Sequence, residues 1–99
     1  MNLDTTSVAL DNPSMQLPLI HSNGNSGTAL GKEYFEALRV LNKFQDAFFA
    51  IEFHSRDYYP LGDAAWLKAV EQRKTMHANI NSLRHYLDVH AGHCFESTK

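Results

Sequence analysis

Arg56-Asp57-Tyr58-Tyr59 sets a guanidinium, a carboxylate and two phenol rings side by side. A guanidinium pairs with phosphate through parallel hydrogen bonds, and aromatic faces stack on bases. These types in this order suit a nucleotide, with Asp57 available to a ribose hydroxyl. The same residues also make a packed helix–helix turn, with Arg56 paired to Asp57 or to a helix C-terminus and the rings covering the tip. A second candidate is His21-Ser22-Asn23-Gly24-Asn25-Ser26, just ahead of a helical pattern. Gly24 lets a backbone approach a ligand closely. A helix start presents unpaired N–H groups and a partial positive charge. The alternative there is a polar turn and helix cap. Arg73 is the third candidate. It falls on an apolar stripe, where a charge needs a partner or a path to solvent. Either it snorkels, or it points into an anion site between subunits.

The six histidines raise the question of a metal. His90, His93 and Cys94 lie close together, but structural zinc takes four ligands at firm spacings, and neither CxxC nor HExxH occurs. No metal site and no cofactor is expected. There is no nucleophile elbow, no phosphate-binding loop and no dinucleotide fingerprint. Cys94 and its neighbour His93 do not orient one another as nucleophile and base. The expectation is a protein that is not an enzyme.

Two long elements must position these candidates. Leu30, Tyr34, Ala37, Leu41, Phe44, Phe48 and Ile51 are spaced 4, 3, 4, 3, 4, 3, a heptad seam that predicts a helix over 28–53. Phe35, Leu38, Phe49 and Phe53 form a second apolar strip, which implies a second neighbour. Asn25 or Ser26 suits the N-cap. Pro60 holds Tyr59 out of helical angles, and Asp63 suits the N-cap of a second helix over 64–91. Trp66, Ala69, Val70, Met76, Ile80, Leu83 and Leu87 carry its period, and Gly92 is the expected stop. The chain divides into an arm at 1–27 (extended or flexible), a helical hairpin at 28–92 and a loose tail at 93–99. The fold class is all-α, two long helices in an antiparallel hairpin.

Ninety-nine residues make at most one domain, and with 43% hydrophobic and 20% charged residues the chain is globular in type. A net charge of -2 argues against a nucleic-acid partner. No apolar run approaches the ~18 residues of a membrane span. Met1 to Leu10 lacks the basic and apolar regions of a secretion signal, so the expected location is cytoplasmic. A lone hairpin shares one interface and buries little, yet six Phe, four Tyr and one Trp demand cover. The expected solution is a helical-bundle homo-oligomer. The Asn-Gly segment sits at the open end and the Arg-Asp-Tyr-Tyr segment at the tip, one helix length apart. They share a pocket only if a second hairpin packs antiparallel and brings its tip to the first chain's open end.

The order Ile20-His21-Ser22-Asn23-Gly24, a long helix, Arg56-Asp57-Tyr58-Tyr59-Pro60-Leu61-Gly62 and a second long helix resembles small helical-hairpin proteins of phages and prophages. In those the first motif reads His-Leu-Asn-Gly-Thr and then Ser; here Ser22 replaces the Leu and Asn25 the Thr. The resemblance covers about residues 19–90. It implies a phage setting, with the host cytoplasm as location, and no established activity. A looser analogy is to phage sponge proteins, which are small, oligomeric and sequester nucleotide signals of bacterial immunity. The expected function is therefore sequestration of a small phosphate-containing nucleotide by His21, Asn23, Gly24, Asn25, Ser26, Arg56, Asp57, Tyr58, Tyr59 and Arg73. The alternative is a helical adaptor or inhibitor that binds a host protein.

Overall fold

A computed structural model describes residues 15–97. Two helices pack against each other, α1 over Gly27–Ala50 and α2 over Asp63–Glu96. Two single 3₁₀ turns, Ser55–Asp57 and Tyr59–Leu61, join them, and there is no strand among the described residues. Most of the proposed arm, residues 1–14, lies outside the described residues.

Helix α1 starts where its cap is best. The Ser26 hydroxyl accepts the Ala29 N–H at 3.0 Å and satisfies one orphan donor of the first turn. The helix ends at Ala50, three residues earlier than its apolar period suggests. Ile51 leaves helical angles, and its N–H turns back to the Phe48 carbonyl at 3.2 Å.

Helix α2 departs from expectation at both ends. Gly62, at φ 104°, occupies the cap position, and Asp63 is the first helical residue. A side chain at that φ is strained, so the turn favours glycine. Asp63 still places negative charge at the helix start. Gly92 does not stop the helix, which continues to Glu96. The proposed loose tail is therefore helical through residue 96. The reason is packing. Ala91 is buried and Cys94 fully enclosed. Phe95 lies over Gly31, where an added Cβ would come within 2.9 Å of its ring. Burial of that last turn outweighs the ~1 kcal/mol that glycine costs a helix interior.

The seam of α1 is offset from its most apolar register. Gly27, Gly31, Tyr34, Leu38, Leu41, Gln45 and Phe48 face α2, again at heptad spacing. Ala37, Phe44 and Ile51, expected inside, are exposed. The two small residues Gly27 and Gly31 let the end of α2 come close, and that approach sets the register. Phe95 meets Gly31, Arg84 meets Asn42, and His77 meets Phe48, so α2 runs back along α1. The result is a rod of 60 × 29 × 17 Å. Its radius of gyration is 18.1 Å, against ~13 Å for a compact domain of this length. Apart from Leu41 near the middle of α1, the enclosed core (Leu87, His90, Ala91 and Cys94) gathers toward the open end.

Candidate functional site

The tip is ordered by its own side chains. His54 Nδ1 accepts the Arg56 N–H at 3.0 Å and starts the first 3₁₀ turn. The Tyr58 N–H returns to the Ser55 carbonyl at 2.9 Å, and the Leu61 N–H to the Tyr58 carbonyl at 2.8 Å. These bonds turn the Tyr58 ring inward. It meets Phe53 at 5.7 Å and Trp66 at 5.6 Å between centroids, and Phe53 meets Trp66 at 4.9 Å.

Arg73 reaches into this aromatic group from the seam of α2. Its guanidinium carbon lies 4.4 Å from the Phe48 ring centroid and 4.8 Å from that of Phe53. Its Nη2 donates to the Phe48 carbonyl at 3.1 Å. A cation at a helix C-terminus opposes the negative end of the dipole, and two ring faces add cation–π attraction. Arg73 neither snorkels past a neighbour nor hangs free. It is held across the end of α1, with its Nε 3.4 Å from His77 Nε2.

Of the ten residues expected at a site, Tyr58 and Arg73 share a cavity. It holds about 240 Å³ and is lined by Phe48, Phe53, Tyr58, Ala69, Gln72, Arg73 and Met76. The lining offers ring faces, one guanidinium and one amide. Arg56, Asp57 and Tyr59 stand outside it, exposed at the tip. Arg56 pairs with Glu52 and not with Asp57. That pair is solvent-exposed and therefore contributes little, which leaves the guanidinium easily recruited.

The other expected residues form a turn at the opposite end. The Gly24 N–H bonds to the His21 carbonyl at 3.2 Å, and His21 Nδ1 accepts the Asn23 N–H at 3.3 Å. A Cβ at Gly24 would fall 2.8 Å from His21 Nε2, so a side chain there displaces the exposed His21 ring. Asn23, Asn25 and Ser26 are exposed around it. The segment before the turn is tied to α2 through His93 Nε2, which donates to the Pro18 carbonyl at 2.6 Å.

Further cavities lie between the ends. An apolar groove of about 700 Å³ is lined by Ala37, Val40, Leu41, Phe44, Leu83 and Leu87, with Glu33 and Glu36 at its rim. A polar crevice of about 350 Å³ contains Asn42, Asn81, Arg84, His85 and Asp88 beside Leu38. Arg84 donates there to Asn42 Oδ1 at 3.1 Å and Asn81 Oδ1 at 2.8 Å.

The histidine-rich end is a packed core. His90 stacks on Tyr86 at 4.0 Å, faces Tyr34 at 5.0 Å and bonds through Nδ1 to the Tyr86 carbonyl at 2.9 Å. Burial, together with nearby Tyr86, pushes the Tyr34 phenol above its ordinary range. Burial also pushes the Cys94 thiol up, away from the nucleophilic thiolate. Among the described residues no three His, Cys, Asp or Glu side chains come together as a metal site. No helix among them is long and apolar enough to cross a membrane.

Phe48, Phe53 and Met76, read in the sequence as packing residues, and Gln72, not singled out there, also line the tip cavity. The available signal was the i, i+4 spacing of Gln72 and Met76 beside Arg73, together with the proximity of Phe53 to the connector. The apolar groove was signalled by the surplus aromatic residues of α1. Neither a protein family, nor a curated protein, nor a solved structure matches the chain.

Proposed function

We propose that this chain is a non-enzymatic binding protein that sequesters a small phosphate-containing nucleotide signal of bacterial immunity. It acts as a homo-oligomer of antiparallel hairpins in the host cytoplasm, in a phage setting. The observation that supports the reading is the convergence of Tyr58 and Arg73 on one solvent-open cavity. Ring faces suit a base and the guanidinium suits a phosphate. Arg56 and Asp57, exposed at the same tip, offer a second cation and a ribose partner. The lining residues offer no nucleophile beside a general base, and sequestration asks only for affinity.

A thermal-shift screen against linear and cyclic nucleotides, ADP-ribose among them, tests this, with bound material recovered by heating and identified by chromatography. A nucleotide at 100 times its dissociation constant raises stability by roughly 2.7 kcal/mol. The reading expects such a shift, with the nucleotide returned unchanged. A consumed nucleotide makes the protein an enzyme, and no shift across the panel removes the reading. The exposed apolar groove supports a second reading, an adaptor or inhibitor that binds a host protein. That reading predicts no nucleotide shift and a host protein bound through Val40 and Phe44.

A further inference from the structure

We propose that the apolar groove is a two-fold interface with a second copy of this chain, and that this contact lays the His21–Ser26 turn of one copy over the Tyr58–Arg73 cavity of the other. The proposal rests on the ligand reading above for the role it gives the completed cavity.

The groove spans Glu33 to Phe44 on α1 and Leu83 to Leu87 on α2, so its centre falls near Leu38 on the first helix and His85 on the second. From Ser26 to Leu38 is 12 residues, and from Arg73 to His85 is also 12. At ~1.5 Å per residue each end lies ~18 Å from the centre. The two lie in opposite directions, because α2 runs back along α1. A two-fold axis through the groove, directed across the helices, exchanges the ends of the rod. It therefore carries each open-end turn onto the partner's tip.

The surface fits a second copy. Val40, Phe44, Ile51, Met76 and Leu83 are each 45–54% exposed. At roughly 200 Å² for a large side chain they leave ~500 Å² of apolar surface, most of the ~800 Å² per partner that a standard interface covers. Val40, Phe44 and Ile51 continue a heptad strip along α1, and Met76 and Leu83 stand seven apart on α2. Two apolar strips with a groove between them form half of a four-helix bundle. The tip cavity also asks for more wall. Its volume of about 240 Å³ lies below the ~300–1,000 Å³ of enclosing ligand sites. The partner's turn brings the exposed Asn23 and Asn25, with the start of α1, to the side of the cavity opposite Arg73.

The test is a cross-link. Asn25→Cys and Gln72→Cys are introduced together, and a short bis-maleimide is added; Cys94 is fully enclosed and stays out of reach. Within one chain the two positions are a helix length apart, beyond the reagent. The expected product is a covalent dimer linked between position 25 of one copy and position 72 of the other. Phe44→Lys, at an exposed position, is expected to retain its helical circular dichroism, raise the dimer dissociation constant about 100-fold and abolish the link. Links of 25 to 25 or 72 to 72 overturn the arrangement, as does a monomer of 11.2 kDa by sedimentation of the wild-type chain. So does a Phe44→Lys protein that still links. The thermal-shift screen fails independently: a 25-to-72 dimer without a nucleotide shift upholds this interface and removes the ligand reading, and a monomer that binds nucleotide does the reverse.

Discussion

Replacing Gly92 by alanine stabilises this protein, and replacing Gly31 by alanine destabilises it, although both glycines sit inside helices. At Gly92 an added methyl meets nothing within 4 Å. The change then registers helix propensity alone, about 1 kcal/mol in favour of alanine. For a chain of this size that raises Tm by roughly 4–8 °C. At Gly31 the same gain is opposed by the Phe95 ring, whose three nearest atoms would lie 2.9, 3.0 and 3.1 Å from the new Cβ. Phe95 is 38% exposed, so it can swing outward, and the cost is the burial it gives up. Taking ~200 Å² for the residue, roughly 120 Å² is covered, worth ~3 kcal/mol at ~25 cal/mol per Å². Losing about two-thirds of that outweighs the propensity gain and leaves Gly31→Ala about 1 kcal/mol less stable. Thermal melts followed at 222 nm measure both variants. A lower Tm for Gly92→Ala refutes the continuous α2 helix, because only a left-handed glycine at that position would resist the methyl. A higher Tm for Gly31→Ala refutes the close packing of Phe95 on α1.

Arg73→Met removes the hydrogen bond to the Phe48 carbonyl and the charge at the end of α1; the expected loss is about 2 kcal/mol in chemical denaturation, and a change below ~0.5 kcal/mol contradicts the cap. Arg56→Ala leaves the melting of the unliganded protein within ~0.5 kcal/mol, because its pair with Glu52 is exposed, while it shrinks the nucleotide-induced shift; an unchanged shift removes Arg56 from the site. Tyr34 and Cys94 hold their protons more tightly folded than unfolded. Their stabilisation is complete below the ordinary values of 9.0 for the thiol and 10.0 for the phenol, and it is lost as pH rises through the raised folded values. Melts across pH 8 to 11 therefore fall, and less steeply in Tyr34→Phe; an equal slope in that variant counts against the half-buried phenol.

The two helices and the Ser26 cap are legible in the sequence because each rests on local chemistry: heptad spacing and a hydroxyl before the first turn. The connector is legible only as a break, since Tyr59 opens a 3₁₀ turn despite the following Pro60, and Gly62 takes the cap expected of Asp63. Arg73 is legible as a residue on the inner stripe. The register of α1 is not. Its most apolar strip runs through Ala37, Phe44 and Ile51, while the seam runs through Gly27, Gly31 and Gln45. Close approach of two backbones selects small residues, which carry no hydrophobic signal. The end of α2 is misread for the same reason, since the packing that overrides Gly92 lies on α1. The site divides likewise. Tyr58 and Arg73 are each visible, but their meeting depends on where the last turn of α1 places the Phe48 carbonyl and ring.

Native mass spectrometry tests the central claim most directly, on the full chain incubated with ADP-ribose and, separately, with a cyclic dinucleotide. The account predicts a species of twice 11.2 kDa that carries two intact copies of one of these molecules. A single chain of 11.2 kDa with nothing bound contradicts both the shared cavity and the sequestering role.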